Sequence, residues 1–279
     1  MPQALHCADR VLTFEHPRIM GVLNITPDSF SDGGELFVNG APDLGAIRAR
    51  AADMIAQGAQ ILDIGGESTR PGAAEVSVQE EIGRVVPAIT ALSGLDTILS
   101  IDTRHAVVAR AAVDAGAHLI NDISAGADPA MLDVVCACNA GFALMHMQGT
   151  PQTMQHAPAY SDVVDEVRSF LAQRFEACIA RGISPDRLLI DPGIGFGKTV
   201  QHNLMLLQSL ERLRMDDRPL LVGVSRKSML GKITGREVGE RTVASVTSAV
   251  LAAQRGADIL RVHDVSATRD GLRMLAAFG

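Results

Sequence analysis

The sequence predicts one α/β domain, a (β/α)8 or TIM barrel that covers residues 1–279 with its barrel core at about residues 18–278. Short aliphatic runs alternate with helical patterns, as in parallel sheets whose strands are joined by helical crossovers. The length fits a single barrel, which typically needs about 250 residues. Polar side chains follow nearly every aliphatic run, as expected where strand ends form an active site. These three observations favour one closed barrel.

The predicted strands are short runs rich in Ile, Leu and Val, each long enough for one buried strand. They lie at residues 19–26, 60–66, 97–102, 118–124, 142–147, 188–193, 220–226 and 259–264. The alternation alone would also fit an open, doubly wound sheet. The count of eight favours the closed barrel.

The predicted helices lie between these strands, and most of them end at a glycine in the manner of a helix C-cap. They include residues 44–58, 78–92, 104–116, 163–182, 242–256 and 267–278. No low-complexity segment or linker separates a second domain. We therefore expect eight strands alternating with eight helices.

A polar or charged side chain lies at or near the carboxyl end of nearly every predicted strand. The set is Asn24, Asp63, Asp102, Asn121, His146, Asp191, Ser225 with Lys227, and Arg261 with His263. In a barrel these ends converge on one face, whereas an open sheet spreads them along an edge. Helix capping would account for two or three of them but not for the whole set.

The overall charge argues against a nucleic-acid-binding surface. The chain has 25 basic and 32 acidic side chains, which give a net charge of -7. Nucleic-acid-binding domains instead carry a basic patch or an excess of positive charge. Any anion is therefore expected to bind at a local site.

The four cysteines, Cys7, Cys136, Cys138 and Cys178, lack the spacing of a disulfide framework or a zinc site. We expect all four to be reduced packing residues, with Cys136 and Cys138 in a helix. The first 15 residues lack a positive cluster followed by an apolar run, and no segment approaches 18 apolar residues in a row. The expectation is a cytoplasmic protein with no membrane partner.

The glycine-rich segment from Asp191 to Thr199 invites comparison with phosphate-binding loops, but it fails both motifs. A Walker A loop needs Gly where the chain has Pro192, and a dinucleotide fingerprint needs Gly where it has Lys198. The glycines instead predict a tight turn that holds Asp191 and lets the backbone approach a flat ligand.

Two carboxylates and one amide are predicted to meet on the barrel floor. Asp102, Asn121 and Asp191 would need partners there, because a buried carboxylate is costly unless paired. A heterocycle with amino and ring N–H donors would satisfy them. Lys227 stands at the neighbouring strand end, where it would donate to the same ring. A Schiff-base lysine with a depressed pKa and a lysine in a surface ion pair are the alternatives.

Cationic and hydroxyl donors are predicted on the rim of the same face. They are Ser68, Thr69, Arg70, Arg261 and His263. Arginine binds phosphate groups bidentately, so the set is typical of a phosphate or pyrophosphate site. Asn24 would support a Mg²⁺ ion shared with a pyrophosphate, since Mg²⁺ takes few protein ligands and keeps several waters. Two loops at this face, residues 26–43 and 66–77, are rich in Gly, Pro, Ser and Asp and are predicted to be mobile.

The sequence resembles the dihydropteroate synthases, whose signature segments occur here in order and in approximate spacing across residues 18–270. The matching runs are GVLNITPDSFSDGG, LDIGGESTRPGA, SIDTR, INDISAG, MHMQGTPQTMQ, IDPGIGFGK, VGVSRKS and RVHDV. The resemblance implies a Mg²⁺-dependent barrel enzyme of folate biosynthesis, often a homodimer and a sulfonamide target. Its reaction would condense 6-hydroxymethyl-7,8-dihydropterin pyrophosphate with 4-aminobenzoate, giving 7,8-dihydropteroate and pyrophosphate.

The resemblance also implies a role for each matching residue. The implied pterin site is Asp102, Asn121, Asp191 and Lys227, and the implied pyrophosphate and Mg²⁺ site is Asn24, Arg70, Arg261 and His263. The implied surroundings of the aminobenzoate are Thr69, Pro71, Phe196, Ser225 and Lys227, with Asp63 and Met145 lining the pocket. The implied catalytic residues are Arg70, Lys227, Arg261 and His263, and Asp28, Phe30 and Asp32 would close over the reacting ends.

The family mechanism resembles an SN1 process, in which the C–O bond to pyrophosphate breaks before the arylamine attacks. Two other functions fit the same barrel. One is a methyltetrahydrofolate-dependent methyltransferase, which the STRPG and SRKS segments argue against, because that reaction has no pyrophosphate or aminobenzoate to bind. The other is a pterin-binding paralogue without turnover, which the intact Arg70, Lys227, Arg261 and His263 argue against.

Overall fold

The computed structural model describes residues 4–27, 36–38, 40–68, 75–215 and 217–278. The strands in chain order are β1 (Leu5–Cys7), β2 (Arg10–Leu12), β3 (Arg18–Asn24), β4 (Phe37–Val38), β5 (Ala41–Pro42), β6 (Ile61–Gly65), β7 (Ile98–Asp102), β8 (Leu119–Asp122), β9 (Gly141–Met145), β10 (Leu188–Asp191), β11 (Leu221–Gly223) and β12 (Ile259–Val262). The helices are α1 (Leu44–Gln57), α2 (Val78–Leu92), α3 (Ala106–Asp114), α4 (Met131–Ala137), α5 (Val163–Ala180), α6 (Val200–Gln208), α7 (Leu210–Leu213), α8 (Ser228–Thr234), α9 (Thr242–Gln254) and α10 (Val265–Phe278).

Eight parallel strands form the barrel, in the order β10-β9-β8-β7-β6-β3-β12-β11. A parallel bridge between Ile190 and Leu220 joins the two ends of this order and closes the ring. Each of the eight predicted strands overlaps one barrel strand, so the predicted (β/α)8 fold is confirmed. The strands read as continuous aliphatic runs because the barrel buries both of their faces.

Local sequence signals set the ends of the crossover helices. Asp43 caps α1 by accepting a hydrogen bond from the Ala46 N–H, and Gly58 ends this helix at a φ of 110°. Asp162 caps α5 in the same way. The short helices α7 and α8 lie beyond the eight crossovers predicted from the sequence. They add packing around the second half of the barrel.

The amino ends of the barrel strands are sealed by a hairpin that the sequence does not predict. Strands β1 and β2 pair antiparallel and, with Phe14, cover the inward-facing residues at the starts of the barrel strands. We name this apolar cluster the apolar plug: Leu5, Cys7, Leu12, Phe14, Met20, Ile61, Ile98, Leu119, Ala143, Leu189, Leu221 and Ile259. All of its members are less than 9% exposed, so this end of the barrel is closed to water.

All four cysteines are free, as predicted. Cys7 and Cys178 are buried, and burial raises the pKa of the Cys7 thiol to about 12 and that of Cys178 to about 11. Cys136 is exposed on α4, so the expectation of a packing role is wrong there. Cys138 follows the last residue of that helix and is partly buried. In the part of the chain that the structure describes, no helix has both the length and the apolar character to cross a membrane.

Candidate active site at the carboxyl ends of the strands

Strand pairing brings three of the predicted polar residues, Asn24, Asp102 and Asn121, into one row. Asn24 is paired with Gly65, Gly65 with Asp102, and Asp102 with Asn121. A Cβ at Gly65 would lie 3.4 Å from Asn24 Oδ1 and 3.7 Å from Asp102 Cβ. The glycine thus leaves space between the amide and the carboxylate, as a site for a flat ligand requires.

Asp63 lies below this row and connects three strands. It is fully buried in the middle of β6 and not at the end of that strand, where the sequence placed it. Its carboxylate accepts hydrogen bonds from Ser100 Oγ at 2.6 Å, Asn121 Nδ2 at 3.1 Å and Arg261 Nε at 2.6 Å. Asp63 therefore orients Asn121 and Arg261. The sequence suggested only that it lines the pocket.

Arg261 bridges two carboxylates. Its Nε donates to Asp63 and its Nη2 donates to Asp102 Oδ2 at 2.6 Å. The sequence placed this guanidinium on the rim as an anion donor, but in the structure it reaches into the floor. We name the set Asp63, Asp102, Asn121, Asp191, Lys227 and Arg261 the carboxylate cluster.

Burial controls the protonation of the cluster. Burial raises the pKa of Asp102, while the nearby Arg261 charge acts in the opposite direction. Burial also raises the pKa of Asp191 to about 6, although its Oδ1 accepts a hydrogen bond from the Gly193 N–H at 2.7 Å. The predicted tight turn after Asp191 is confirmed by this bond and by the positive φ of Gly193.

Lys227 lies in the segment between β11 and α8, directly before the first residue of α8. Its Nζ lies 4.0 Å from the centroid of the Phe196 ring. Burial and the Arg261 charge lower the pKa of Lys227 to about 8, while Asp191 and Asp102 oppose this shift. An ion pair is formed instead by the neighbouring Arg226, which binds the partly buried Asp264 at 2.8 Å. Lys227 therefore faces the cluster.

The end of β12 is connected to the segment after β11. Ser225 Oγ lies 3.0 Å from His263 Nδ1 and accepts a hydrogen bond from the His263 N–H at 3.2 Å. The hydroxyl thus holds the histidine.

Met145 is buried at the end of β9 and contacts the glycine turn after β10. Its Cγ would lie 3.3 Å from a Cβ at Gly193.

His146 does not join the other strand-end residues, and its predicted position is wrong. Its ring packs edge-on against Phe170 of α5, with centroids 4.9 Å apart, on the helix side of β9. Its Nδ1 lies 2.9 Å from the Nζ of Lys198, a buried lysine that the sequence analysis considered only as a mismatch to a motif. Strand position alone does not tell which side of the barrel a residue faces.

Several predicted site residues lie outside the described residues. They are Thr69, Arg70 and Pro71 of the second loop and Asp28, Phe30 and Asp32 of the first. The described start of the second loop is held firmly. Arg84 of α2 donates to the Gly66 carbonyl at 2.7 Å, and Glu67 accepts hydrogen bonds from Arg104 at 3.2 and 3.3 Å. The Arg84 guanidinium also lies 5.5 Å from the ring centroid of Phe37, in the second half of the first loop.

Comparison with known proteins gives consistent matches along the chain. A family profile described as pterin binding enzyme matches residues 20–263. The dihydropteroate synthase of Haemophilus influenzae is 45% identical over 274 residues, which cover 98% of this chain and 98% of that protein.

Solved structures match equally well. The Yersinia pestis dihydropteroate synthase in complex with a sulfonamide drug gives a TM-score of 0.93 at 45% identity and covers 99% of both chains. The Burkholderia cenocepacia dihydropteroate synthase in complex with 7,8-dihydropteroate gives a TM-score of 0.88 at 47% identity. That match covers 99% of this chain and 96% of the other.

Proposed function

The chain belongs to the pterin-binding enzyme family, and from this premise we propose how its residues perform the reaction of a dihydropteroate synthase. The reaction joins 6-hydroxymethyl-7,8-dihydropterin pyrophosphate to 4-aminobenzoate in folate biosynthesis, giving 7,8-dihydropteroate and pyrophosphate. The enzyme is a transferase that acts on the pterin methylene group. The roles of individual residues, the metal ion and the oligomeric state are proposals.

The dihydropterin binds on the carboxylate cluster. The observation that carries this proposal is that Asp102 and Asn121 are paired on neighbouring strands, while the Lys227 charge acts on the buried carboxylates of both Asp102 and Asp191. The amino and ring N–H groups of the pterin donate to Asp102 and Asp191, while Asn121 and Lys227 donate to its acceptors. On binding, the ring replaces Arg261 Nη2 on Asp102. Asp63 keeps its hold on Arg261 Nε, at 2.6 Å, so the guanidinium stays beside the ring.

The pyrophosphate binds toward the ends of β3 and β12. Arg261 and His263 donate to it from one side, and the resemblance adds Arg70 from the second loop. A guanidinium suits this role because it donates two parallel hydrogen bonds to a phosphate. Ser225 supports the site by holding His263.

The donor set fits one Mg²⁺ ion. Asn24 offers an amide oxygen at the edge of the space left by Gly65, next to Asp102. Mg²⁺ commonly takes one or two protein oxygens, with substrate phosphates and waters as its other ligands. Bound there by Asn24 and the pyrophosphate, the ion would supply positive charge to the leaving group.

The chemical step needs charge stabilisation at both ends of the breaking bond. The bond between the methylene carbon and the pyrophosphate oxygen breaks, and its electron pair leaves with the pyrophosphate. The nitrogen of 4-aminobenzoate then forms the C–N bond and loses a proton. Ionised Asp102 and Asp191 stabilise the positive charge on the pterin, while Arg70, Arg261 and His263 stabilise the departing anion.

The aminobenzoate lies between the glycine turn after β10 and the second loop. Phe196 and Lys227 form one wall, with Met145 beneath them and Ser225 on the neighbouring strand end. Thr69 and Pro71 complete the pocket on the resemblance alone. The Yersinia pestis relative forms a complex with a sulfonamide drug, which supports the proposal that this chain also binds sulfonamides.

The enzyme is a homodimer through its later helices. A cavity of about 310 Å³ lies among α6, α8 and α9 and is lined mainly by aliphatic side chains, including Leu204, Leu207, Met229 and Ile233. Ile233 is 54% exposed and Leu251 is 44% exposed in the isolated chain. Burial of such side chains stabilises association.

A cytoplasmic location stays a prediction.

The reaction is tested by incubating purified protein with Mg²⁺, 6-hydroxymethyl-7,8-dihydropterin pyrophosphate and 4-aminobenzoate. We expect dihydropteroate and pyrophosphate in equal amounts. Tight dihydropterin binding without product would instead indicate a silent pterin-binding paralogue. Folded protein that binds no dihydropterin would contradict the site assignment.

A further inference from the structure

Residues 192–198, which lie between β10 and α6, form a tight turn that we name the glycine loop. Gly193 and Gly197 adopt φ values of 65° and 62°, a region that side chains rarely occupy. A Cβ at Gly193 would collide with the carbonyl oxygen of His146, and one at Gly197 would collide with that of Gln148. The loop therefore packs with little tolerance against the segment after β9.

The side chain of Lys198 fills the inside of this loop and is 3% exposed. Its Nζ donates to the carbonyl oxygens of Phe196 at 2.9 Å, Gly193 at 3.0 Å and His146 at 3.3 Å. It also lies 2.9 Å from His146 Nδ1. These acceptors are neutral, and Lys198 forms no ion pair with a carboxylate of the described residues. A single amine thus ties the glycine loop to the end of β9.

Lys198 and its neighbour His146 both have lowered pKa values. Burial lowers the pKa of Lys198 to about 7, with Asp191 opposing the shift and the Lys227 charge contributing to it. Burial and the Lys198 charge lower the pKa of His146 to about 3, so its ring is neutral and Nδ1 is free to accept. Burying an amine is costly unless hydrogen bonds replace its hydration. The loop carbonyls supply those bonds.

The backbone of Phe196 is fixed at both of its polar groups. Its N–H donates to the Gly193 carbonyl at 3.1 Å, and its carbonyl accepts from Lys198. The Phe196 ring lies 4.0 Å from Lys227 Nζ, and a Cβ at Gly195 would lie 3.0 Å from Lys227 Cδ. A shift of the glycine loop would therefore move the ring relative to Lys227.

We propose that Lys198 is a positioning residue for the aminobenzoate pocket: by holding the carbonyls of the glycine loop, it sets the position of Phe196 against Lys227. The inference rests on the proposed function of these two residues. The pterin ring depends less on Lys198, because of its three proposed carboxylate and amide partners only Asp191 is bonded to the glycine loop, at the Gly193 N–H. Asn121 and Asp102 are held by Asp63 and Arg261, outside that loop. Loss of Lys198 should thus affect the two substrates unequally.

The test is Lys198→Met, which keeps an unbranched apolar stem and removes the ammonium, with Lys232→Met on the exposed face of α8 as its control. In the holoenzyme with Mg²⁺, we expect the KM for 4-aminobenzoate to rise by about tenfold, with the KM for the dihydropterin pyrophosphate within roughly twofold of wild type. Equal rises in both KM values would reduce Lys198 to a general structural role. An unchanged KM for 4-aminobenzoate would overturn the proposal.

A second variant decides the matter if Lys198→Met does not fold. His146→Phe keeps an aromatic ring against Phe170 and removes both ring nitrogens, including the Nδ1 acceptor of Lys198, while the backbone carbonyl of residue 146 stays. The proposal requires the same unequal effect on KM, at about threefold. If His146→Phe folds and leaves the KM for 4-aminobenzoate unchanged, the proposal is wrong. Failure of the proposed function is separate, because wild-type protein would then form no dihydropteroate at all.

Discussion

The two ends of the barrel differ in chemical character: one is apolar and the other is charged. At the amino ends of the strands, the apolar plug buries Leu5, Phe14 and their neighbours, and burial of such a side chain stabilises the fold by about 1.5–3 kcal/mol. At the carboxyl ends, the carboxylate cluster buries charges whose desolvation is costly even when they are paired. Of the two ends, the amino end therefore stabilises the barrel, and the carboxyl end keeps charged groups because the substrates need them.

The largest expected effect comes from Asp63→Ala in the carboxylate cluster. The substitution removes the acceptor of Ser100, Asn121 and Arg261 at once. Loss of one partner of a buried ion pair typically lowers the free energy of unfolding by about 3–5 kcal/mol. Because Asn121 and Arg261 also lose their orientation, we expect kcat/KM to fall by about a thousandfold. Steady-state kinetics with exposed Asp114→Ala as the control checks this. A change within roughly threefold would show that Asp63 does not organise the site.

At the amino ends of the strands, Leu5→Ala should lower stability and leave catalysis unchanged. Leu5 is fully buried in the apolar plug, and we expect the free energy of unfolding to fall by about 3 kcal/mol. Well below the melting temperature, kcat/KM should be unchanged. Denaturant unfolding measures the loss, and Val11→Ala, at an exposed position of the same hairpin, should be nearly neutral. A large loss of kcat/KM in folded Leu5→Ala would mean that the two ends are coupled.

A somewhat smaller effect on catalysis is expected from Lys227→Ala. If Lys227 serves both substrates, kcat/KM should fall for each of them by about a hundredfold. The exposed Lys232→Ala is the matched control. The comparison is made by varying one substrate while the other is saturating. An unchanged kcat/KM for either substrate would show that the shared role is wrong.

The smallest effect concerns pH. The pKa of Asp191 is raised to about 6, so its side chain is mostly ionised only above that pH. The pKa of Lys227 is lowered to about 8, so its ammonium mostly loses its proton above that pH. We expect kcat/KM for the dihydropterin substrate to rise several-fold from about pH 5 to pH 7 and to decline above pH 8. In Asp191→Asn the acidic limb should shift or flatten. A wild-type profile that is flat from about pH 5 to pH 9 would contradict this.

The sequence predicts the barrel well for a physical reason. Strands buried on both faces are uninterrupted aliphatic runs, so β3, β6 and the other barrel strands can be counted directly. Asp102 and Asp191 are also predictable, because a charged residue directly after such a run lies at a strand end. The hairpin of β1 and β2 is missed because three-residue strands are too short to show periodicity.

Other parts of the site depend on distant contacts and leave no local signal. The role of Asp63 requires Arg261, which lies 198 positions away in the chain. His146 is misplaced because the residue after β9 faces the helices, and only packing against Phe170 shows this. Lys198 is overlooked because its partners are backbone carbonyls, which any sequence would supply.

The measurement that tests the account most directly is calorimetric binding of 6-hydroxymethyl-7,8-dihydropterin, which lacks phosphates, to wild type, Asp191→Asn and Leu5→Ala. The carboxylate cluster should bind this ring without help from the anion site. We expect Asp191→Asn to lose at least about tenfold in affinity at an unchanged melting temperature, and Leu5→Ala to keep wild-type affinity at a lower melting temperature. Wild-type affinity in folded Asp191→Asn would contradict the claim that the cluster is the pterin site.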